Sequence, residues 1–391
     1  MISAGVTVVV PSGSVRGTTG STTVPTKWRT RNLNPRTGRP RVQQLAPETP
    51  ASDGTDVTDD RAGWQRPTDS TARCGEPPAT VPAMSAPLCV IGDFAWDVLI
   101  RTDSKLLTGG DTFGEVMLTP GGSAANVAVW ASRCGLQTEF IGKIGRDRLG
   151  QLAKEDLDKE RVITHFVETD EHLTGCVAVF VDQTGERSMV SGRGADFYLL
   201  ASEVPKDAVR GSSHLHMTAW SFFVDPPRAA ARAAAHLARE SGATLSFDPG
   251  SFQMIEEMGV NDFLACTQDL GIDVFLPNYQ EGEVLTGLDE PEAIAAALAK
   301  LYPQALIMLK LDADGALVYD NGVATRLPPA TNNVVDATGA GDSFAGAFLA
   351  RFLGGASAVD AAHFATTISA WVIEHLGARP EPDARLRAIL S

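Results

Sequence analysis

The sequence predicts an α/β protein: a central, mostly parallel β-sheet sandwiched by helices, with a second, smaller β-sheet standing apart from it. Three observations predict this. From Leu88 onward, short β-rich runs alternate with Ala-rich amphipathic stretches, the rhythm of a parallel sheet with helices on both faces. Toward the C-terminal end two β-rich runs flank Asn321-Gly322, the two-residue turn that closes an antiparallel hairpin. Two further pairs of strand-like runs, at 97–101 with 114–118 and at 176–182 with 186–192, have no helix between their members and so fall outside the α/β rhythm.

In order, the periodicity predicts strands over 88–92, 138–141, 214–217, 244–247, 274–276 and 306–309. Helices are predicted over 124–133, 149–159, 227–240, 291–301, 340–352 and 358–375. The closing hairpin takes 315–320 and 323–327, and the second pair of irregular strands turns at Gln183-Thr184-Gly185. All of this lies within 84–391. Residues 1–83 are crowded with Thr, Ser, Pro, Gly and Arg and have almost no apolar periodicity, which reads as a disordered extension. Alternatively they precede the native start, because Met84 opens MSAPLCVIGD, which runs straight into the first strand. Peptides from 1–83 in a cell extract would decide between the two.

The chain has 391 residues, 43% apolar and 21% charged, which is ordinary globular composition. A net charge of −15 excludes a dedicated nucleic-acid binder, which needs a basic stripe to neutralise phosphates. The five cysteines (74, 89, 134, 176 and 266) are scattered and form no C-x-x-C pair, which points to a reducing cytoplasm rather than a disulfide framework or a zinc site. No apolar run reaches the ~20 residues of a membrane span. The apolar stretch 6–10 is too short for a signal-peptide core and ends at Pro11.

The most informative stretch is Asp336-Ala337-Thr338-Gly339-Ala340-Gly341-Asp342-Ser343-Phe344-Ala345-Gly346. Small residues at Gly339, Ala340 and Gly341 let the backbone turn tightly into a helix, whose first amides then converge on one point and form an anion hole. Asp342 on that first turn stands where a carboxylate could take the proton of an attacking hydroxyl while the amides stabilise a transferring phosphoryl group. Repulsion between carboxylate and phosphate implies Mg²⁺. The bland reading is close helix packing with Asp342 as a cap. Neither a G-x-G-x-x-G dinucleotide fingerprint nor a G-x-x-x-x-G-K-[ST] loop is present.

DATGAGDSFAG resembles the C-terminal signature of the PfkB (ribokinase-like) carbohydrate kinases. Gly121-Gly122-Ser123-Ala124-Ala125-Asn126-Val127-Ala128, with Gly142-Lys143-Ile144-Gly145-Arg146-Asp147-Arg148-Leu149-Gly150, resembles their N-terminal signature. The two stand about two hundred residues apart in the family order, and the resemblance spans roughly 88–391. It implies a ribokinase-like three-layer sandwich whose small sheet (strands within about 97–119 and 175–192) forms a lid, and an ATP- and Mg²⁺-dependent kinase acting on a hydroxyl of a sugar or sugar derivative. A nucleoside kinase is the alternative within the family, and a catalytically silent binding or regulatory protein is the alternative outside it.

Residue by residue, the resemblance implies Asp342 as base, with Gly339, Ala340 and Gly341 as the anion hole. It implies Asp97, Gly121, Gly122 and Asn126 at the substrate; for Asn126 the bland reading is a solvated side chain after a tight turn. Ala95 stands where ribokinases proper carry Asn, which weighs against ribose. Asp93 has two equal readings, site or cap. Asn278 and Glu281 match the family's N-x-x-E, at a phosphate and a Mg²⁺-bound water shell, and equally fit a capping box. Lys310 falls near the nucleotide phosphates, but next to it Asp312 replaces a usual Gly, and Thr366 a usual Asn or His. Asp336, with carbonyls near Gly377-Ala378, matches a monovalent-cation (K⁺) site and equally fits a turn. The lid's apolar outer side implies a homodimer. His214-x-His216 lacks a third metal ligand, and Trp220 reads as core or pocket wall.

Overall fold

The central strands are apolar on both of their alternating sides, so each side must find cover. In the computed structural model, which describes residues 87–106, 108–181, 187–331 and 333–391, helices provide it. The elements in chain order are β1 (Leu88–Ile91), β2 (Ala95–Thr102), β3 (Gly114–Pro120), α1 (Ser123–Arg133), β4 (Thr138–Gly145), α2 (Arg148–Lys159), β5 (Ile163–Thr169), β6 (Gly175–Val181) and β7 (Arg187–Ser191). Then follow α3 (Lys206–Gly211), β8 (His214–Thr218), α4 (Pro227–Glu240), β9 (Thr244–Asp248), α5 (Phe252–Met258), α6 (Val260–Thr267), β10 (Val274–Phe275), α7 (Tyr279–Thr286) and α8 (Pro291–Leu301). The last are β11 (Leu306–Lys310), β12 (Ala316–Asp320), β13 (Val323–Leu327), α9 (Ala340–Leu353), α10 (Ala358–Ile373) and α11 (Ala384–Leu390). The expectations for 1–83, for Met84 and for the turn at 183–185 fall outside the described residues.

The large sheet runs β13-β12-β11-β10-β9-β8-β1-β4-β5, parallel except for the closing hairpin β12–β13. Leu88 and Val90 face one core with α1, α9 and α10, while Cys89 and Ile91 face a second core with α4, α6 and α8. Strand β1 pairs with β8 on one side and β4 on the other, so the chain winds outward from it in both directions. Open α/β sheets place ligands in the crevice at the carboxyl end of such a strand. The hairpin turn has Asn321 at φ 48° and Gly322 at φ 85°, the left-handed pair its sequence announced.

The four irregular strands form a second sheet, β3-β2-β6-β7. Its outer pairs are antiparallel, and its central pair, β2–β6, is parallel. Leu99, Met117, Val177, Val179 and Met189 turn toward a cavity at the carboxyl edge of the large sheet. Their neighbours Val116, Leu118 and Val190, on the alternate side of the same strands, are exposed.

The fold class is the one expected, with additions. Strand β4 extends four residues further, to Gly145, and β5 was not foreseen. As an edge strand, β5 is covered only in part, so its sequence lacks a clean alternation. The capping box read at Asn278 and Glu281 opens α7, whereas helices α3, α5, α6 and α11 were unforeseen; none of these exceeds eight residues, too few turns for a period of 3.6 to register. His214 and His216 are buried and share the Ser246 hydroxyl, each through a ring nitrogen at 2.7 Å.

Helices α1 and α9 cross where Gly346, the last glycine of the C-terminal signature, meets α1. A Cβ there would stand 2.6 Å from the Val127 carbonyl oxygen and 2.7 Å from Trp130 Cβ. Gly346→Ala is expected to destabilise the protein by about 1–3 kcal/mol through overpacking, read as a lower midpoint in thermal or urea unfolding.

Candidate active site

The first turn of α9 is shaped by residues on both sides of it. Gly339 sits at φ 74°, and a Cβ would come within 2.7 Å of Ala378 Cα, so both conformation and space call for glycine. The buried Asp336 accepts from the Thr338 amide at 2.8 Å and from the Gly377 amide at 2.9 Å, tying the loop before α9 to the chain after α10. The Ala340 amide leans on the Ala337 carbonyl (3.3 Å), and the Ser343 amide bonds the Gly339 carbonyl (2.8 Å). Between them lie the amides of Gly341 and Asp342, first-turn donors suited to an anion.

Asp342 lies at the floor of a cavity of about 450 Å³ beneath the small sheet. Its carboxylate accepts from Ser123 Oγ at 2.6 Å and from Asn126 Nδ2 at 2.8 Å. Burial pushes its pKa up to about 6; those two hydrogen bonds pull it down, and Asp248 and Asp93 push it further up. The other end of the Asn126 amide accepts from Arg379 Nε at 2.6 Å. Arg379, with a side chain only 2% exposed, also bonds Asp156 at 2.6 Å and the Gly121 carbonyl at 2.9 Å. Asn126 is thus fixed between base and guanidinium rather than solvated.

Asp97 packs on Gly121, where a Cβ would fall 2.5 Å from its Oδ2. Burial raises its pKa to about 6, Arg379 lowers it and Asp93 raises it. Gly122 admits the 93–95 loop, since a Cβ would stand 2.7 Å from Phe94 Cα. The two glycines therefore make room for protein as much as for a ligand. Asp93 serves as a cap: it accepts from the Ser123 amide (2.7 Å), the Ala124 amide (3.2 Å) and Thr218 Oγ1 (3.2 Å), holding the start of α1 from another loop. Trp220 is a wall of the cavity.

A second cavity, about 560 Å³, opens on the other side of the α9 turn. Asn278, Lys310, Ala340, Gly341 and Thr366 line it. Lys310 Nζ pairs with Asp248 at 2.6 Å and would lie 3.3 Å from a Cβ on Gly341. Asn278 and the buried Glu281 form the full capping box of α7: the Glu281 amide donates to Asn278 Oδ1, and the Asn278 amide donates to Glu281 Oε2, both at 2.8 Å. Burial and the neighbouring Asp248 raise the Glu281 carboxyl pKa, against the pull of Lys310. Asp312, exposed at φ 50° in the backbone region that favours glycine, keeps the conformation a Gly would take and adds a carboxylate to the lining of this cavity. Thr366 bonds back to the Ala362 carbonyl at 2.9 Å.

One helix turn thus presents a carboxylate to one cavity and its amide edge to another, the arrangement for passing a group from a donor to an acceptor. The sequence model of the pfkB family of carbohydrate kinases matches residues 85–384. A fructokinase of Escherichia coli is 32% identical over 68% of this chain and 84% of its own length. An ATP-dependent ribose-1-phosphate kinase of Halopiger xanaduensis is 30% identical over 75% of this chain and 94% of its own. Among solved structures, adenosine kinase from Sinorhizobium meliloti superimposes with a TM-score of 0.70 at 24% identity, covering 78% of this chain and 98% of that one. The chain belongs to the pfkB carbohydrate kinase family. It is a kinase, with the family's ribokinase-like architecture.

In this pfkB kinase Asp342, Asp97, Gly122 and Asn126 line the first cavity, with Gly121 packed on Asp97, while Lys310, Asn278, Ala340 and Gly341 line the second, with Gly339 at the start of α9 and Glu281 in the capping box of α7. Sequence reasoning missed Ser123, Asp248, Asp156 and Arg379. Ser123 lies inside the N-terminal signature and could have been singled out there. The other three carry no local pattern, because their partners are 62 to 258 residues away.

A carboxylate with a pKa near 6 accepts a proton only when ionised, so if Asp342 takes part in the reaction as a proton acceptor, kcat/KM is expected to fall as pH drops through about 6. Arg379→Gln is expected to lower kcat by roughly tenfold to a hundredfold by freeing Asn126. It should also shift the acid limb upward, because Asp342 loses the attraction of a nearby guanidinium. A pH profile of both proteins reads both effects, and a merely structural Arg379 would leave the limb in place.

Proposed function

We propose that this protein transfers the γ-phosphoryl group of ATP to a hydroxyl of a sugar or sugar derivative held between Asp97, Asp342 and the small sheet, which acts as a lid. The observation that carries this reading is the shared α9 turn: Asp342 opens to the acceptor cavity, while Ala340 and Gly341 open to the donor cavity. Asp342 takes the acceptor's hydroxyl proton, and the oxygen forms a bond to the γ-phosphorus. The bond from that phosphorus to the β,γ-bridging oxygen breaks, and ADP leaves with the electron pair. The Gly341 and Asp342 amides and Lys310 stabilise charge on the phosphoryl oxygens as it moves. The lid keeps water from competing with the sugar.

Mg²⁺ fits the donor side. Asp248 and Glu281 crowd two carboxyls beside one lysine, an all-oxygen set suited to a hydrated magnesium ion, and no cluster of three or more metal-ligating side chains occurs among the described residues. When bound, the ion neutralises phosphate charge. K⁺ at Asp336 would reinforce from behind the loop that its carboxylate already clamps. We place the enzyme in the cytoplasm, where ATP is available and where the four described cysteines, all unpaired, stay reduced. No described helix is long and apolar enough to cross a membrane. The exposed Val116, Leu118 and Val190 on the outer lid face suit a second copy of the chain.

The deciding assay is ADP release with Mg-ATP against sugars, sugar acids and nucleosides. Asp342→Asn is expected to lower kcat by roughly 10²–10⁴-fold while sugar binding persists. A mutant with full turnover would overturn the assignment of the base, and identical rates with and without potassium would remove the cation. Light scattering at micromolar concentration is expected to give a dimer, and a monomer would count against the lid interface.

A further inference from the structure

The acceptor cavity is acidic, and nothing positive among the described residues lines it. Its titratable walls are Asp93, Asp97, Asp196, Asp336 and Asp342, with no Lys, Arg or His. Arg379, the buried guanidinium nearby, is occupied by Asn126, Asp156 and the Gly121 carbonyl and is not part of the lining. Arg193 is exposed and lines a separate hollow with Asp147.

Three of these carboxylates already have tasks: Asp93 caps α1, Asp336 clamps the α9 loop and Asp342 is the base. Asp97 and Asp196 are left facing the acceptor. Asp196 follows the lid in the turn Ala195–Tyr198, where its Oδ1 is buried without a hydrogen-bond partner among the described residues. That oxygen lies against Gly175 and Gly194, whose Cβ atoms would come within 2.8 and 2.9 Å of it. Burial first, and Asp93 second, raise the Asp196 pKa to about 8. In either protonation state it offers a hydroxyl group a partner and offers an anion no positive charge. The opposite wall is the apolar lid, Leu99, Val177, Val179 and Met189.

Building on the kinase reading, we infer that the acceptor is an uncharged polyol, with hydroxyls donated to Asp97 and Asp196, and that the cavity rejects sugars carrying a phosphate or carboxylate. A hydroxyl answers an acceptor-rich wall, whereas an anion entering it meets like charge and leaves its own desolvation unrepaid. Asp196 is the specificity residue this assigns.

The test uses matched pairs on the full chain: D-fructose with D-fructose 6-phosphate, D-ribose with D-ribose 1-phosphate, and D-glucose with D-gluconate. Each is measured both by ADP release and by calorimetric binding. The expected result is that every anionic member is weaker than its neutral counterpart by roughly a hundredfold or more. Measured above pH 8, where Asp196 is ionised, the gap in Asp196→Asn should be narrower than in the wild type by roughly tenfold, because one negative charge has gone. An anionic member that binds as well as its neutral counterpart overturns the inference, as does a wild-type protein that binds no uncharged polyol. Binding restricted to neutral sugars without ADP release would uphold the charge selectivity and overturn the kinase reading, so the two fail separately.

Discussion

The close crossing of α1 and α9 is the constraint from which the site follows. The two helices come from signatures about two hundred residues apart, and Gly346 lets one backbone approach the other with no side chain between. That approach brings Ser123 and Asn126 of α1 within hydrogen-bond reach of Asp342 on α9. Both helices start at the carboxyl edge of the sheet, where β1 parts the chain to either side. The crevice, the Asp342 carboxylate and the first-turn amides of α9 therefore share one location because one packing contact holds two helix starts side by side.

Around that contact, buried charge is paired with care. Arg379 with Asp156 places a cation behind the first cavity, and Lys310 with Asp248 places one in the wall of the second, each pair at 2.6 Å. Removing one partner from such a pair leaves the other uncompensated and typically costs about 3–5 kcal/mol. These ion pairs also set the electrostatics of the carboxylates, with Arg379 drawing Asp97 down while burial drives it up. Burial lifts the basicity of Asp342 well above that of an ordinary aspartate, and the two neutral donors that hold it offset that rise only in part.

Much of this was legible in the sequence because it is written locally. The period of the buried strands, the Asn321-Gly322 turn and the two glycine-rich signatures each occupy a dozen residues or fewer, and the structure places them as read. Edge strand β5 was not legible, since a half-covered strand has no reason to alternate. The capping box of Asn278 and Glu281 was foreseen, yet its closeness to the Lys310–Asp248 pair exists only after folding. Arg379 is the clearest case. Its surroundings, a Gly-Ala before and Pro-Glu-Pro after, advertise a loop, and only tertiary packing turns it into a buried support for Asn126. The Asp312 departure became intelligible through a single dihedral angle.

Both pairs of lid strands are excursions from the edge of the large sheet. The chain leaves after β1, makes β2 and β3 and returns directly into α1; it leaves again after β5, makes β6 and β7 and returns toward β8. Neither excursion adds a strand to the large sheet or alters its order. The residues that roof the first cavity can thus be exchanged in evolution or in the laboratory without touching the helix turn to which we assign phosphoryl transfer. Taste for a substrate and competence for the reaction are inherited as separable traits, so a single scaffold can diversify its diet while its chemistry stands still.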